Sequence, residues 1–364
     1  MTFEHNGQDV APSSLNRAAD FLLGLGDYHL SSSVLGSLRR SLATRWRAEL
    51  RSPVDPEPIP ELSLLEAHAD LIRSVFFDFR RPVVLRGALS NSAAVDVWET
   101  EYLRSKCGSN EYEVTVCPEG RKRESNRDVK LERRTMASFC DALDQGTRHL
   151  ELELCSQIFT DVPKLLQDLG AEELLRTTGL SERFEFAAFQ LFMQPEGACT
   201  DLHAAFGGNL FLNVRGRKRW VFIDPRYTAL LSARPKPVLD SPLKPFFHLD
   251  CELSFDHGDP ELERIPRYEV VLHEGDALLN PPWWWHAVFS EADLNIAVAS
   301  RMAVRWWDPR FYRDPNLRNQ FAYSLASVYY PVRLLVGANK LGRIVSRRPP
   351  KPTHQIMAEL FADP

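Results

Sequence analysis

The chain has no paired cysteines. Its six, at 107, 117, 140, 155, 199 and 251, are scattered, and none forms a CxxC. This argues against a structural zinc site built on cysteine pairs. It favours reduced thiols over a disulfide framework, and so a cytoplasmic setting. No apolar run of about 18 residues occurs, so no membrane-spanning helix is expected. The start, MTFEHNGQDVAPSS, has neither the basic nor the apolar region of a secretory signal. A large excess of charge of either sign is also lacking. The 44 Lys and Arg against 49 Asp and Glu leave a formal charge of -5. That gives no broad electrostatic case for nucleic acid or an anionic membrane.

What is present is apolar content of 44% over 364 residues, enough for a sizeable core. The length suits one large domain with helical additions, or two domains. Leu15 to Gly24 and Val34 to Leu50 show helical spacing, and the Pro-rich RSPVDPEPIPEL after them reads as an extended linker. Residues 1–60 are therefore expected to form a helical segment with its linker. Residues 61–307 form the main domain, and 308–364 a C-terminal helical region. Within the main domain, Ser63 caps an expected helix reaching Phe76, and PVVLRG reads as a buried strand. Val95 to Ser105, Met136 to Leu143 and Val162 to Leu169 read as helices, and Tyr112 to Val116 and Leu150 to Leu154 as strands. The charge run over 119–134 reads as a solvated loop, with a basic flap over a substrate opening as the alternative.

From residue 184 to 303 the pattern changes. FEFAAFQLFMQP, NLFLNVRG, KRWVFIDP, YEVVLHEGDALLNPP, HAVFS and LNIAVASRM are short β-rich runs separated by Gly, Pro and Asp. The expected class is mainly β with helical additions, an antiparallel sandwich or barrel. Pro-rich Ser232 to Phe247 reads as an insertion between strands. The helices expected from Leu317 to Leu341 carry an apolar face with Leu325, Val328, Tyr329, Val332 and Leu335. That face suits packing against the chain's own core.

Two stretches carry the chemistry. Thr200 to Asp224 holds His203, with Thr200 before it and Asn209 and Lys218 after it; Glu274 to Val288 ends its WWW run on His286. A lone histidine on an apolar strand is more often a satisfied core residue than a ligand. Two on converging strands make a candidate metal site, because neutral imidazole suits Fe, Zn, Cu and Ni. Lys218 begins an apolar strand after a glycine turn. Drawn inside, it needs an anion; left in the basic turn beside Arg217 and Arg219, it is merely exposed. Thr200 and Asn209 are placed to add hydroxyl and amide contacts.

The two stretches resemble the double-stranded β-helix of the JmjC/cupin-like family of Fe(II)- and 2-oxoglutarate-dependent oxygenases, in particular the pattern of the asparaginyl hydroxylase of hypoxia-inducible factor. The first motif is matched by Thr200, His203, Asn209, Gly216 and Lys218. The second is matched by Gly275, Asp276, Leu278, Pro281, Trp284, Trp285 and His286. The resemblance implies that His203 and His286 bind iron and contribute to catalysis. It implies that Lys218 pairs with the distal carboxylate of 2-oxoglutarate with Thr200 beside it, and that Asn209 orients the cosubstrate. The substrate class it implies is a small molecule or a peptide or protein, with oxidation at an aliphatic C–H bond. For the C-terminal helices the resemblance to related enzymes implies a homodimer, as the alternative to packing against the chain's own core.

The departure is Ala205, where the family has the metal-binding carboxylate. Four readings stay open. Asp201, two residues before His203, supplies the carboxylate from the same strand face. Water or substrate fills the vacancy. Chloride fills it, as in 2-oxoglutarate halogenases with Ala or Gly at this position. Or the domain is a non-catalytic binding or scaffold module.

Overall fold

The computed structural model describes residues 12–30, 33–50, 55–63, 81–117, 130–177, 185–205, 208–235, 248–251, 253–255 and 258–303. Along the chain the strands are β1 (Glu57–Pro58), β2 (Glu61–Ser63), β3 (Val83–Arg86), β4 (Glu111–Val116), β5 (Lys130–Thr135), β6 (Leu150–Cys155), β7 (Glu185–Pro195) and β8 (Cys199–Ala205). They continue as β9 (Gly208–Arg215), β10 (Lys218–Ile223), β11 (Arg234–Pro235), β12 (His248–Asp250), β13 (Arg267–Leu272), β14 (Ala277–Asn280), β15 (Trp285–Ser290) and β16 (Leu294–Ala303).

They form two sheets. One has seven strands in the order β1-β13-β10-β15-β8-β12-β11; the other has nine, β2-β3-β14-β9-β16-β7-β6-β4-β5. From β7 to β10 and again from β13 to β16, each successive strand lies in the sheet opposite to the one before. The chain thus winds around a common interior, which is the double-stranded β-helix. The mainly β expectation holds, but as two facing sheets rather than a closed barrel.

Alternation of side chains builds the interior. Trp220 and Phe222 of β10, Tyr268, Val270 and Leu272 of β13, Phe211 of β9, and Ala297 and Ala299 of β16 pack into one cluster between the sheets. The intervening residues Val221 and Ile223 are also buried, on the outer face. A strand covered on both sides reads as an unbroken apolar run, as KRWVFID does.

The Pro-rich stretch is not a free linker. Glu57 and Pro58 pair in parallel with Tyr268 and Glu269, and Glu61 to Ser63 with Val84 to Arg86. Proline is tolerated there because β1 is an edge strand. The helices before it, α1 (Ser14–Leu30) and α2 (Ser33–Glu49), are tied to each other and to the core. Arg39 meets Asp20 at 2.6 Å in a buried pair, and Arg47 donates to the Leu230 carbonyl and pairs with Glu261. Residues 1–60 are therefore built into the main domain in part. The helix expected over Val95 to Ser105 is two, Ala93–Val97 and Thr100–Cys107. Trp98 turns extended between them, and its side chain is fully buried. Ser63 ends β2 rather than capping a helix, and the end of the charge run read as a loop is strand β5. The rest of the helix expected to Phe76, the charge run up to 129, the insertion over 236–247 and the C-terminal helices lie outside the described residues. All six cysteines are free thiols, and no described helix is long and apolar enough to cross a membrane.

Candidate active site

β8 and β15 pair with His203 directly opposite His286, and their ring centroids are 4.2 Å apart. The two rings are held in the same way. His203 Nδ1 lies 2.8 Å from the backbone carbonyl of Asp201, and His286 Nδ1 lies 2.8 Å from that of Trp284. A carbonyl only accepts, so each Nδ1 carries the proton, and in the neutral ring each Nε2 keeps its lone pair. This is how a protein orients imidazoles for a metal. His286 is buried and stacks on Trp220, with centroids 5.6 Å apart. Burial pulls its pKa down to about 4, against the backbone hydrogen bond at Trp284 and with help from the charge of Arg301. It is neutral at pH 7.

The strand register slips between His286 and Val288, so that Thr200 stands opposite Val288. Val288 packs against the cluster between the sheets. The irregularity therefore brings Thr200 to the same inward face as His203, although strict alternation would separate residues three apart.

Lys218 is drawn inside. It is 1% exposed, and Nζ donates to Gln194 Oε1 at 2.6 Å and to Ser290 Oγ at 2.8 Å. Gln194 Nε2 donates in turn to Glu151 Oε2 at 2.7 Å and Glu153 Oε1 at 3.1 Å. Burial lowers the Lys218 pKa to about 8, opposed by the carboxylates of Glu151 and Glu153 and the Cys199 thiol. The turn before it needs Gly216, at φ +81°, where a Cβ would lie 2.3 Å from the Leu294 carbonyl. Arg217 is exposed, and Arg219 pairs with Glu291. Alternation along β10 sends only Lys218 inward. Its hydroxyl partner is Ser290; no hydrogen bond to Thr200 is formed among the described residues. Gln194, Ser290 and Glu151 are thus site residues that sequence reading missed.

Across the interior a second row faces the histidines. Asn280 of β14 is opposite Asn209 of β9, which is opposite Arg301 of β16. Both asparagines are buried, and the Oδ1 atoms of both lack a hydrogen-bond partner. Asn280 Nδ2 lies 3.3 Å from His286 Nε2. Arg301 Nε donates to Gln190 Oε1 at 2.8 Å, and burial alone pulls its pKa down to about 10. The inward positions of Ala297 and Ala299 were the sequence signal that would have found Arg301.

Ala205 ends β8, buried, with its carbonyl accepting from the Trp283 N–H at 2.7 Å. Trp283 sits at φ +64°, an uncommon conformation for a bulky residue. The WWW turn is thereby pinned to the strand end where the family carboxylate belongs. All three tryptophans of the turn are buried, and Trp285 Nε1 donates to Thr228 Oγ1 at 2.9 Å. Asp201 meets His203 through its backbone carbonyl. Among the described residues no group of three His, Cys, Asp or Glu side chains is placed to hold a metal ion, so neither Asp201 nor another described acid completes a triad with the histidines.

Residues 70–313 match the Cupin-like domain family. The chain belongs to that family. Among cupin-like relatives, it is 26% identical over 238 residues to the human bifunctional peptidase and (3S)-lysyl hydroxylase JMJD7, an alignment covering 57% of this chain and 73% of that protein. It is 22% identical over 234 residues to Jumonji C domain-containing protein 5 of Drosophila melanogaster, spanning 64% of this chain and 56% of the relative. It is 21% identical over 228 residues to lysine-specific demethylase 8 of Xenopus tropicalis, spanning 63% of this chain and 48% of that protein. The cupin-like core thus carries the JmjC resemblance of the two motifs. Two imidazole Nε2 lone pairs with buried, unpaired amide oxygens near them form a donor set that fits a divalent cation such as Fe(II).

Proposed function

We propose that this cupin-like protein is an Fe(II)- and 2-oxoglutarate-dependent oxygenase that oxidises an aliphatic C–H bond of a peptide or protein side chain. The observation that carries this reading is the matched pair His203 and His286, whose Nδ1 protons are both given to backbone carbonyls. Bound iron with the 2-oxo acid supplies the O2 chemistry. The chain's own residues do the rest. His203 and His286 hold the metal through Nε2. Lys218, with Ser290 and Gln194 on its ammonium, takes the distal carboxylate, with Thr200 on the adjoining inward face. Trp220, Phe222 and Trp284 keep bulk water out. Arg301 and Asn209 lie on the facing wall for the other end of the cosubstrate. The lysyl hydroxylase and lysine-specific demethylase among the relatives support a peptide substrate over a small molecule.

With Ala205 in place of the acid, hydroxylation and transfer of chlorine from a chloride at the vacant position both remain within this proposal. The relatives' names include a hydroxylase and a demethylase and lend the halogen branch no support. A second reading is a binding or scaffold module without catalysis, favoured by the lack, among the described residues, of a three-residue group of His, Cys, Asp or Glu placed for a metal. Anaerobic titration with Fe(II) and then 2-oxoglutarate separates the two. The oxygenase reading expects Fe(II) binding that His203→Ala or His286→Ala removes, and 2-oxoglutarate binding that Lys218→Met removes. If neither ligand binds at millimolar concentration, the module reading stands instead. Adding chloride to the loaded protein tests the halogen branch, through a change in the spectrum of the complex.

A further inference from the structure

The carboxylate missing at position 205 leaves the two imidazoles short of an oxygen donor, and one stands beside them on a different strand. Asn280 ends β14, only 2% exposed, on the wall facing the histidines. Its Nδ2 is 3.3 Å from His286 Nε2, and its Oδ1 is buried with no hydrogen-bond partner. Asn209, its cross-strand neighbour, has a buried Oδ1 in the same condition. A buried amide oxygen without a donor is an anomaly that calls for a ligand, an ion or water. Here two such oxygens lie across the interior from two imidazole lone pairs. A constellation rich in acceptors is completed by a cation.

We propose that Asn280 is the third protein ligand of a divalent cation held by His203 and His286, its amide oxygen standing in for the carboxylate that Ala205 lacks. This rests on the reading of the histidine pair as a metal site.

The geometry suits the role. Ligand atoms each about 2.0–2.2 Å from one metal ion lie about 3 Å from one another at adjacent positions. The Asn280 amide stands at that separation from His286 Nε2. In the metal-free protein its N–H donates to the lone pair. Half a turn about the last side-chain torsion exchanges nitrogen for oxygen, so the group that satisfies Nε2 without metal becomes a ligand with it. Its position is secured by Pro281 after it and by the Trp283 N–H, which ties the β14–β15 turn to the Ala205 carbonyl. The alanine and the asparagine thus sit at two ends of one hydrogen-bonded junction.

The charge balance follows. A carboxylate replaced by an amide leaves the metal one negative charge poorer. Arg301, opposite Asn209 in the strand row that Asn280 belongs to, adds a positive charge on the same wall. Such a centre favours an anionic cosubstrate, and the dianion of a 2-oxo dicarboxylic acid meets that demand without a protein carboxylate.

The test is a titration of the full chain with Co(II), read by visible ligand-field absorbance and by calorimetry. The variants are His203→Ala, Asn280→Leu, Asn280→Asp and the double variant Asn280→Leu with Ala205→Asp. Asn280→Leu is expected to weaken Co(II) binding by about tenfold or more, and Asn280→Asp to tighten it by a similar factor. The double variant should recover wild-type affinity. That recovery distinguishes a lost ligand from a damaged fold, which near-ultraviolet circular dichroism checks independently. Wild-type affinity and spectrum in Asn280→Leu, with binding abolished in His203→Ala, overturn the role of Asn280 and leave the metal site standing. Absence of Co(II) binding by the wild-type chain at millimolar concentration overturns both.

Discussion

Lys218 gives its ammonium to Gln194, 2.6 Å away, and Gln194 gives its own amide hydrogens to Glu151 and Glu153. The lysine is thus held by a neutral acceptor, with the compensating carboxylates one residue further off. That leaves the cation available for an incoming anion while still offsetting the penalty of burying it. Replacing Lys218 by Met, of similar length, should abolish this function and keep the interior filled. We expect 2-oxoglutarate affinity to fall by about 100-fold, the usual effect of truncating one member of a buried charge pair. Calorimetry reads the affinity, and far-ultraviolet circular dichroism confirms the fold.

The same residue predicts a dependence on pH. Its folded pKa, about 8, lies below the ordinary lysine value of 10.5 because of burial. Between those values the unfolded chain holds the proton and the folded chain releases it. Stability attributable to Lys218 therefore rises with pH across that window. Anion binding moves the opposite way, because only the ammonium attracts a carboxylate. Affinity for 2-oxoglutarate should decline as pH rises above about 8. Denaturant melts and binding isotherms at neutral and alkaline pH should diverge in the wild type, and Lys218→Met should remove both trends.

Asp276 of the second motif has a structural task that its place in a tight turn only partly suggests. Its carboxylate accepts from the N–H groups of Gly87 and His273, at 3.0 and 2.8 Å, and pairs with Arg86. It is 4% exposed. Asp276→Ala leaves two backbone donors without their acceptor and removes one of the two carboxylates that Arg86 pairs with, Glu61 being the other. The expected loss is about 3 kcal/mol of stability. Thermal or denaturant unfolding measures it.

Local spacing made much of the site legible, and it failed where the fold departs from local rules. The residues around Lys218 leave it open between the interior and the basic turn, and the resemblance of the two motifs is what places it at the cosubstrate and pairs His203 with His286. Thr200 reaches that face only through the register slip beside His203, which no residue type announces. Gln194, Ser290 and Glu151 reach Lys218 from β7, β15 and β6, and their contact is a matter of which strands pair or face one another. β1 lay hidden because prolines read as a spacer, yet an edge strand pairing through one side accommodates them. Asn280 was visible inside GDALLNPPWWWH. Its amide drew no notice until its oxygen proved buried and unpaired.

Arg301 gives the sharpest separation of function from stability. Its hydrogen bond is to Gln190, a neutral side chain, and burial alone accounts for its lowered pKa. No carboxylate offsets its charge among the described residues. Arginine in this state contributes little to the fold, and an apolar side chain of similar length is expected to be neutral or stabilising in its place. An anion arriving near His286 would find in Arg301 a planar donor suited to a carboxylate. Arg301→Met should therefore leave the melting temperature unchanged or raise it, while weakening 2-oxoglutarate binding by about tenfold or more. Differential scanning calorimetry with and without the cosubstrate reads both quantities on one sample. A fall in melting temperature with unchanged binding would mark Arg301 as structural. The opposite pair of results places it on the ligand, at the far end of the site from Lys218.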